Sequence, residues 1–409
     1  MRRILVSAIA LSLLAPSFSA AQRPGGGARP GIGMSMPTYR PEVMRSGVLD
    51  DVATARRQAI RREEVQAEQQ TRIAIDAAYE RDPLGHWRRR GEIVMAAASP
   101  DAASAAQALG LAMRRAQLLP ASGLILYTFA VPAGARAQDV VAALRAARPG
   151  DAIDLNFVYD FEGGQSAGAR FNAVQAPPGP GAGGRRIAAV IDSSLPIDRE
   201  TLAGVTLRTE RFGPGPGKAS AHALAVAAIL ADTAGHAGLT LLAADVSEAG
   251  PLPGASAASI AQALDWAAGA GAQVVNISLT GPPNAVLAIV VRRIAARGVV
   301  IVAAAGNAGP RAPAPYPAAL PEVVGVTAVD RDLRIWRRAT QGPHVDFSAQ
   351  GVKVTAAGGE WSGTSLASPV VAGVLLRTLE TPEALARQVR DLGAPGRDTV
   401  FGFGFVAGR

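Results

Sequence analysis

The sequence predicts an α/β domain, a parallel sheet flanked by helices on both faces, preceded by a small α+β domain. Three observations carry this. From residue 185 onward, near-continuous Val/Ile/Ala/Leu runs (187–191, 239–243, 273–278, 299–304, 323–326) alternate with Ala-rich stretches (221–232, 256–269, 284–297, 366–379). Strands that are apolar along their whole length belong to sheets covered on both faces. Between 91 and 163, shorter apolar segments alternate in a pattern of their own. A Gly/Pro/Ala-rich stretch, 164–184, separates the two regions and reads as a linker.

Taken in order, residues 1–21 read as a secretory signal peptide. Arg2 and Arg3 give the positive start, 4–14 the apolar stretch, and Ser19-Ala20-Ala21 the small-residue cleavage site. The apolar stretch is too short to span a bilayer. Residues 22–47, rich in Gly, Pro and Arg without a period, predict disorder. A basic helical segment is expected over 48–90, its helix at 48–80 with a loose apolar stripe (Val52, Ile60, Val65, Ile73, Ile75) and Pro83 and Gly85 as its stop. Residues 91–163 read as strand 92–96, helix 101–109, strand 123–131, helix 137–147 and strand 154–159. That order fits a small ferredoxin-like sandwich. The 164–184 linker suits proteolytic cleavage. Arg185-Arg186 is the last basic pair before the large domain, but Arg186 opens the strand that carries Asp192, so a cut further upstream is expected.

Four polar residues stand at the ends of predicted strands or the starts of predicted helices. Asp192 ends the run 187–191, where an open α/β sheet places its sites. His222 lies in the first turn of an Ala-rich helix, Asn307 follows the strand 299–304, and Ser365 opens an apolar helix within Gly363-Thr364-Ser365-Leu366-Ala367-Ser368-Pro369. Each has a bland alternative: a turn Asp, a capping His, a turn Asn, an N-cap Ser. Together they supply what acyl transfer needs. Ser365 at the positive end of a helix dipole attacks, His222 moves the proton, Asp192 orients His222, and Asn307 donates to the oxyanion. The chain holds four His. His86, His236 and His344 sit in segments without this pattern.

These segments resemble the subtilisin-like (S8) serine peptidases. The resemblance rests on Val190-Ile191-Asp192-Ser193, on His222 with Val226-Ala227, on Val275-Asn276-Ile277-Ser278-Leu279 and on Ala304-Ala305-Gly306-Asn307. Tyr316-Pro317-Ala318, Phe347-Ser348-Ala349 and the Ser365 heptad complete it, and it covers residues 185–409. It implies a secreted or periplasmic bacterial endopeptidase with protein or peptide substrates. Ser278, Leu279, Thr280 and Gly281 would form the edge that pairs with substrate, and Ala304, Ala305 and Gly306 would form another wall. It also implies that 91–163 is a propeptide, an intramolecular chaperone and inhibitor. The chain departs from the family at Ala223, Leu224 and Ala225, where Gly, Thr and a second His are usual, at Ala228, and at Ser194. That drift keeps a second reading open, a pseudoenzyme that binds peptides or envelope partners in the same cleft. An α/β-hydrolase esterase is disfavoured, because Ala367 stands where Gly-x-Ser-x-Gly needs Gly and the chain order is Asp, His, Ser.

Composition narrows the remainder. There is no Cys among 409 residues, so no disulfide supports the fold. The net charge of +8 is almost wholly Arg, since Lys218 and Lys353 are the only lysines. Arg before residue 91 reads as a solvated face able to touch an anionic envelope surface; nucleic acid is disfavoured in an exported chain with few aromatics there. No Asp-rich loop shows calcium-ligand spacing, and no cofactor or metal is expected.

Overall fold

The computed structural model describes residues 43–161, 167–168, 186–196, 200–250 and 252–408. The expected signal peptide, residues 22–42 and nearly all of the 164–184 linker lie outside them. The first element is helix α1 (Val43–Ala78). The chain divides into two compact units after Glu64, within α1.

α1 ends two residues before the expected helix end at 80, because Tyr79–Arg81 is a strand that pairs with 87–89; the rest of the expected basic segment to 90 is therefore not helical. Asp82 Oδ1 accepts from the backbone N–H of Leu84 (2.9 Å) and His86 (2.8 Å) and folds the Pro83–Gly85 stretch into a hairpin turn. Arg88, Arg89 and Arg90 therefore lie in strand β1 (Trp87–Ala97), not in a helix. Ile60, Val65 and Ile73 of the expected stripe are exposed.

After β1 come α2 (Ala102–Ala108), β2 (Ala112–Leu119), β3 (Leu124–Ala130), α3 (Ala137–Ala147) and β4 (Ala152–Phe161). The sheet order is β4-β1-β3-β2, with every neighbouring pair antiparallel. The sequence reading lacked β2. Its side chains are exposed almost throughout, so an edge strand left no apolar alternation to read.

The large domain is built on β5 (Arg186–Asp192), β6 (Thr206–Arg211), α4 (Ala221–Ala234), β7 (Leu239–Asp245), α5 (Ala257–Gly269), β8 (Val274–Ile277), α6 (Ala285–Ala295), β9 (Val300–Ala304), β10 (Val323–Val329), β11 (Phe347–Gln350) and α7 (Thr364–Thr378). Its seven strands run in the order β11-β10-β9-β8-β5-β7-β6, all parallel. β5, β7 and β10 are buried at every residue. Helices start where a side chain can satisfy the first free N–H groups: Ser220 Oγ accepts from His222, Ser256 Oγ from Ser259, and Asn284 Oδ1 from Val286 and Leu287.

One core joins the faces of β5 and β8 with α5, α6 and the antiparallel sheet. A second joins the opposite face with α4 and α7. The layers are thus small sheet, α5/α6, parallel sheet, α4/α7. Gly373 brings α4 and α7 together, since a Cβ there would lie 2.6 Å from Thr233 Cβ and 2.9 Å from Leu230 O.

Candidate active site

Asp192 is the last residue of β5, at the carboxyl edge of the parallel sheet. His222 is the second residue of α4, and Ser365 the second of α7. Asn307 follows β9 by three residues. The close approach of α4 and α7 places His222 Nε2 2.9 Å from Ser365 Oγ. On the other side of the ring, His222 Nδ1 lies 3.2 Å from Asp192 Oδ2. Asp192 Oδ1 is occupied separately, accepting from Ser193 N (2.7 Å) and Ser193 Oγ (3.0 Å). Those two bonds fix the carboxylate plane toward the imidazole. The edge of Trp361 closes on the same ring, with centroids 6.0 Å apart.

Gly363, not Ser365, is the N-cap of α7, so the hydroxyl of Ser365 is engaged with His222 rather than with its own helix. Pro369 lacks an N–H, which leaves the Ser365 carbonyl without its intrahelical donor. Ser278 Oγ donates to that carbonyl at 3.4 Å, and Asn276 Nδ2 donates to Ser278 Oγ at 3.0 Å.

Asn307 is oriented by Thr364. Its Oδ1 accepts from the Thr364 N–H (3.0 Å) and Oγ1 (2.9 Å), while Thr364 Oγ1 accepts from Gly306 N at 3.1 Å. With its oxygen committed, the amide nitrogen is turned toward Ser365. A Cβ at Gly363 would lie 3.2 Å from Ser365 Oγ and 3.3 Å from Asn307 Nδ2. Gly363 therefore keeps open the space between the Ser365 hydroxyl and the Asn307 amide. All four residues are buried, Ser365 completely.

The segment 278–281, expected to pair with substrate, pairs here with the chain's own β4. Leu279 and Thr280 pair with Phe161 and Asp160 of β4 in an antiparallel register. Gly281 exchanges two 2.9 Å hydrogen bonds with Tyr316. Ala304, Ala305 and Gly306 lead from β9 to Asn307, and the Ala305 carbonyl accepts from His344 Nε2 at 3.1 Å. Burial pulls His344 below the ordinary imidazole range, which keeps it a neutral donor. His86 and His236 do have acids beside them, Asp82 at 3.1 Å and Asp232 at 2.8 Å, but these are local pairs four residues apart. Thr364, Trp361 and His344 carried no assignment from sequence. Thr364 stood inside the quoted heptad, whereas the other two gain their place only through tertiary contact.

Residues 210–394 match the family model described as the subtilase family. Over that span the chain is similar to the subtilase family. The matched span includes His222, Asn307 and Ser365; Asp192 precedes it. A minor extracellular protease, Epr, of Bacillus subtilis is 34% identical over 36% of this chain and 25% of its own length. A thermostable alkaline protease of Halalkalibacterium halodurans is 36% identical over 38% of this chain and 46% of its own. Subtilisin Savinase of Lederbergia lenta is 40% identical over 29% and 46%. The chain thus spans less than half the length of these relatives. Among solved structures, fervidolysin from Fervidobacterium pennivorans, a keratinolytic enzyme related to subtilisin, superposes with a TM-score of 0.61 at 16% identity. It covers 78% of this chain and 60% of its own, which shows a shared fold.

Proposed function

We propose that the chain is an exported serine endopeptidase, made as a precursor whose N-terminal module covers the cleft. The observation that carries the chemistry is the line Asp192–His222–Ser365 at 3.2 and 2.9 Å, with the Asn307 amide facing the gap at Gly363. Ser365 attacks a peptide carbonyl as His222 takes its proton. Asp192 holds the tautomer and steadies the imidazolium. Asn307 and the Ser365 backbone N–H carry the charge on the oxygen. His222 then protonates the leaving amine, and water repeats the cycle on the acyl enzyme.

The module's docking supports the precursor reading. Its β4 runs between 255–256 and 279–280, antiparallel to both. An extended chain added to two sheet edges is how a cleft of this kind would hold a peptide. Polar groups fix the dock from both sides. Asp154 Oδ2 accepts from Ala285 N (2.8 Å) and Asn156 Oδ1 from Ala258 N (3.3 Å), both at helix starts. Asp265 of α5 accepts from Ala121 N (3.2 Å) and Ser122 N (2.7 Å). In this reading the ferredoxin-like topology is that of a propeptide, an inhibitor in the same chain. Maturation requires a cut beyond β4 and before β5. Arg186 is buried, donating to the Ala234, Gly235 and Ala237 carbonyls, which disfavours a cut at the Arg185-Arg186 pair. Export accords with the expected signal peptide and with one relative named as extracellular; among the described residues no helix is long and apolar enough to cross a membrane.

The test is hydrolysis of a casein substrate by the purified chain, wild type beside Ser365→Ala and His222→Ala. Activity lost in both variants is expected. Equal activity in wild type and Ser365→Ala would overturn the assignment.

A further inference from the structure

Where β4 crosses the cleft, one side chain is held more completely than its neighbours require. Tyr159 pairs with Ala255 on one edge, and the next two residues pair with Thr280 and Leu279 on the other. Tyr159 is fully buried. Its hydroxyl donates to the Pro282 carbonyl at 2.7 Å. Backbone closes on the ring at Gly281 and on the Tyr159 main chain at Gly254. A Cβ at Gly281 would stand 2.5 Å from Tyr159 Cδ1, and one at Gly254 would stand 2.7 Å from the Tyr159 carbonyl oxygen. The Gly281 wall is fixed by its paired hydrogen bonds to Tyr316. The result is a slot that fits a flat ring, with a backbone acceptor at its far end.

We propose that this cleft selects extended peptides carrying tyrosine at the position Tyr159 occupies, with the Pro282 carbonyl reading the phenol hydroxyl and Gly281 admitting the ring. The inference rests on the reading of the cleft as the substrate cleft and deepens it. A pocket that only measures apolar size discriminates weakly between similar side chains, whereas one that hydrogen-bonds a hydroxyl rejects the analogue lacking it, because its own buried polar group is left unpaired. Phenylalanine fills the same slot but leaves the Pro282 carbonyl without its donor. Tyrosine is therefore favoured over phenylalanine by about ten-fold or more, and leucine is handled less well still. The module, in this view, inhibits by offering the cleft its preferred residue.

Two experiments on the full chain decide it. The first, in a Ser365→Ala background that removes the chemistry, compares amide hydrogen exchange at 158–161 and 279–281 between Tyr159 and Tyr159→Phe. Loss of one hydroxyl is expected to speed exchange there about ten-fold; unchanged exchange overturns the hydroxyl reading. The second offers the wild-type chain internally quenched peptides based on residues 156–161, with Tyr, Phe or Leu at the place of Tyr159, and maps the cuts by mass spectrometry. Tyr peptides turned over at least ten-fold faster than Phe peptides, with Gly281→Ala abolishing the advantage of both aromatics, supports the proposal. Equal turnover of Tyr and Phe overturns it and leaves the peptidase reading intact. If no peptide is cut and a fluorophosphonate does not label Ser365 even when the module is loosened by Asp265→Ala, the peptidase reading fails instead, and the exchange comparison alone decides whether the slot reads the hydroxyl.

Discussion

Replacing Asp265 with Ala should loosen the module's hold on the cleft without touching the chemistry. The Asp265 carboxylate, buried on α5, accepts from two backbone N–H groups of the turn between β2 and β3, Ala121 at 3.2 Å and Ser122 at 2.7 Å. Hydrogen bonds to a charged group are worth about 1.5–3 kcal/mol each, and their loss leaves both donors buried and unpaired while the module stays docked. Undocking returns those donors to water, so the hold should weaken by about 2–4 kcal/mol, or roughly 30- to 1000-fold in the docking equilibrium. The assay is the rate at which a fluorophosphonate labels Ser365 in the full chain, which should rise if β4, as proposed, shields the hydroxyl. Asp139→Ala is the control, because Asp139 is exposed on α3 and makes only a 3.8 Å contact with Arg136. Labelling at the wild-type rate in Asp265→Ala, or an equal rise in the control, would refute the docking argument.

Other outcomes follow from the same geometry. Asn307→Ala should lower kcat by about 100- to 1000-fold with little change in KM, the usual cost of one oxyanion donor, measured on a peptide anilide; a fall confined to KM would contradict the role. Arg186→Ala should destabilise the fold by about 2–4 kcal/mol, because three carbonyls at the end of α4 lose their buried partner; the urea midpoint reads this, and no shift would count against it. His344 makes stability fall with acid. Burial depresses its folded pKa, so between the unfolded value of about 6.5 and the lower folded one the unfolded chain binds more protons, and its contribution, full above that range, is lost as pH drops through it. Burial raises Asp346 nearby, which acts in the opposite sense, so the comparison is wild type against His344→Gln. The variant should lose less stability than wild type between pH 7 and 5 in chemical denaturation, and parallel curves would show that His344 is not the cause.

The sheet was legible in the sequence wherever strands are buried on both faces. Runs such as 187–191 and 323–326 have no polar interruption, and the helices between them announce their starts through Ser220, Ser256 and Asn284. The strands that escaped, β2, β6 and β11, are edge strands; β2 and β6 are exposed along nearly their whole length, and β11 has only four residues. An edge strand is held by one ladder rather than by a core, so its side chains need not be apolar. The hairpin at Pro83–Gly85 was read as a helix stop because its cause, the Asp82 turn, is a side-chain hydrogen bond and not a period. At the site, chain order and element ends were enough to pick out Asp192, His222, Asn307 and Ser365 as a group, and the fold brings them together. The departures at Ala223, Leu224 and Ala225 are buried apolar residues inside an unbroken α4. Sequence did not reveal what orients the four. Thr364 turning the Asn307 amide, Trp361 against the His222 ring and His344 behind Ala305 depend on distances across the fold.

The most direct measurement is fluorophosphonate labelling of the full chain in Asp265→Ala and Tyr159→Ala backgrounds, each with Ser365 intact and with Ser365→Ala. The account predicts labelling of both loosened forms, none once Ser365 is replaced, and slower labelling of the unaltered chain. A loosened, folded chain whose Ser365 does not label would contradict it, because the hydroxyl 2.9 Å from His222 would then not be an activated nucleophile.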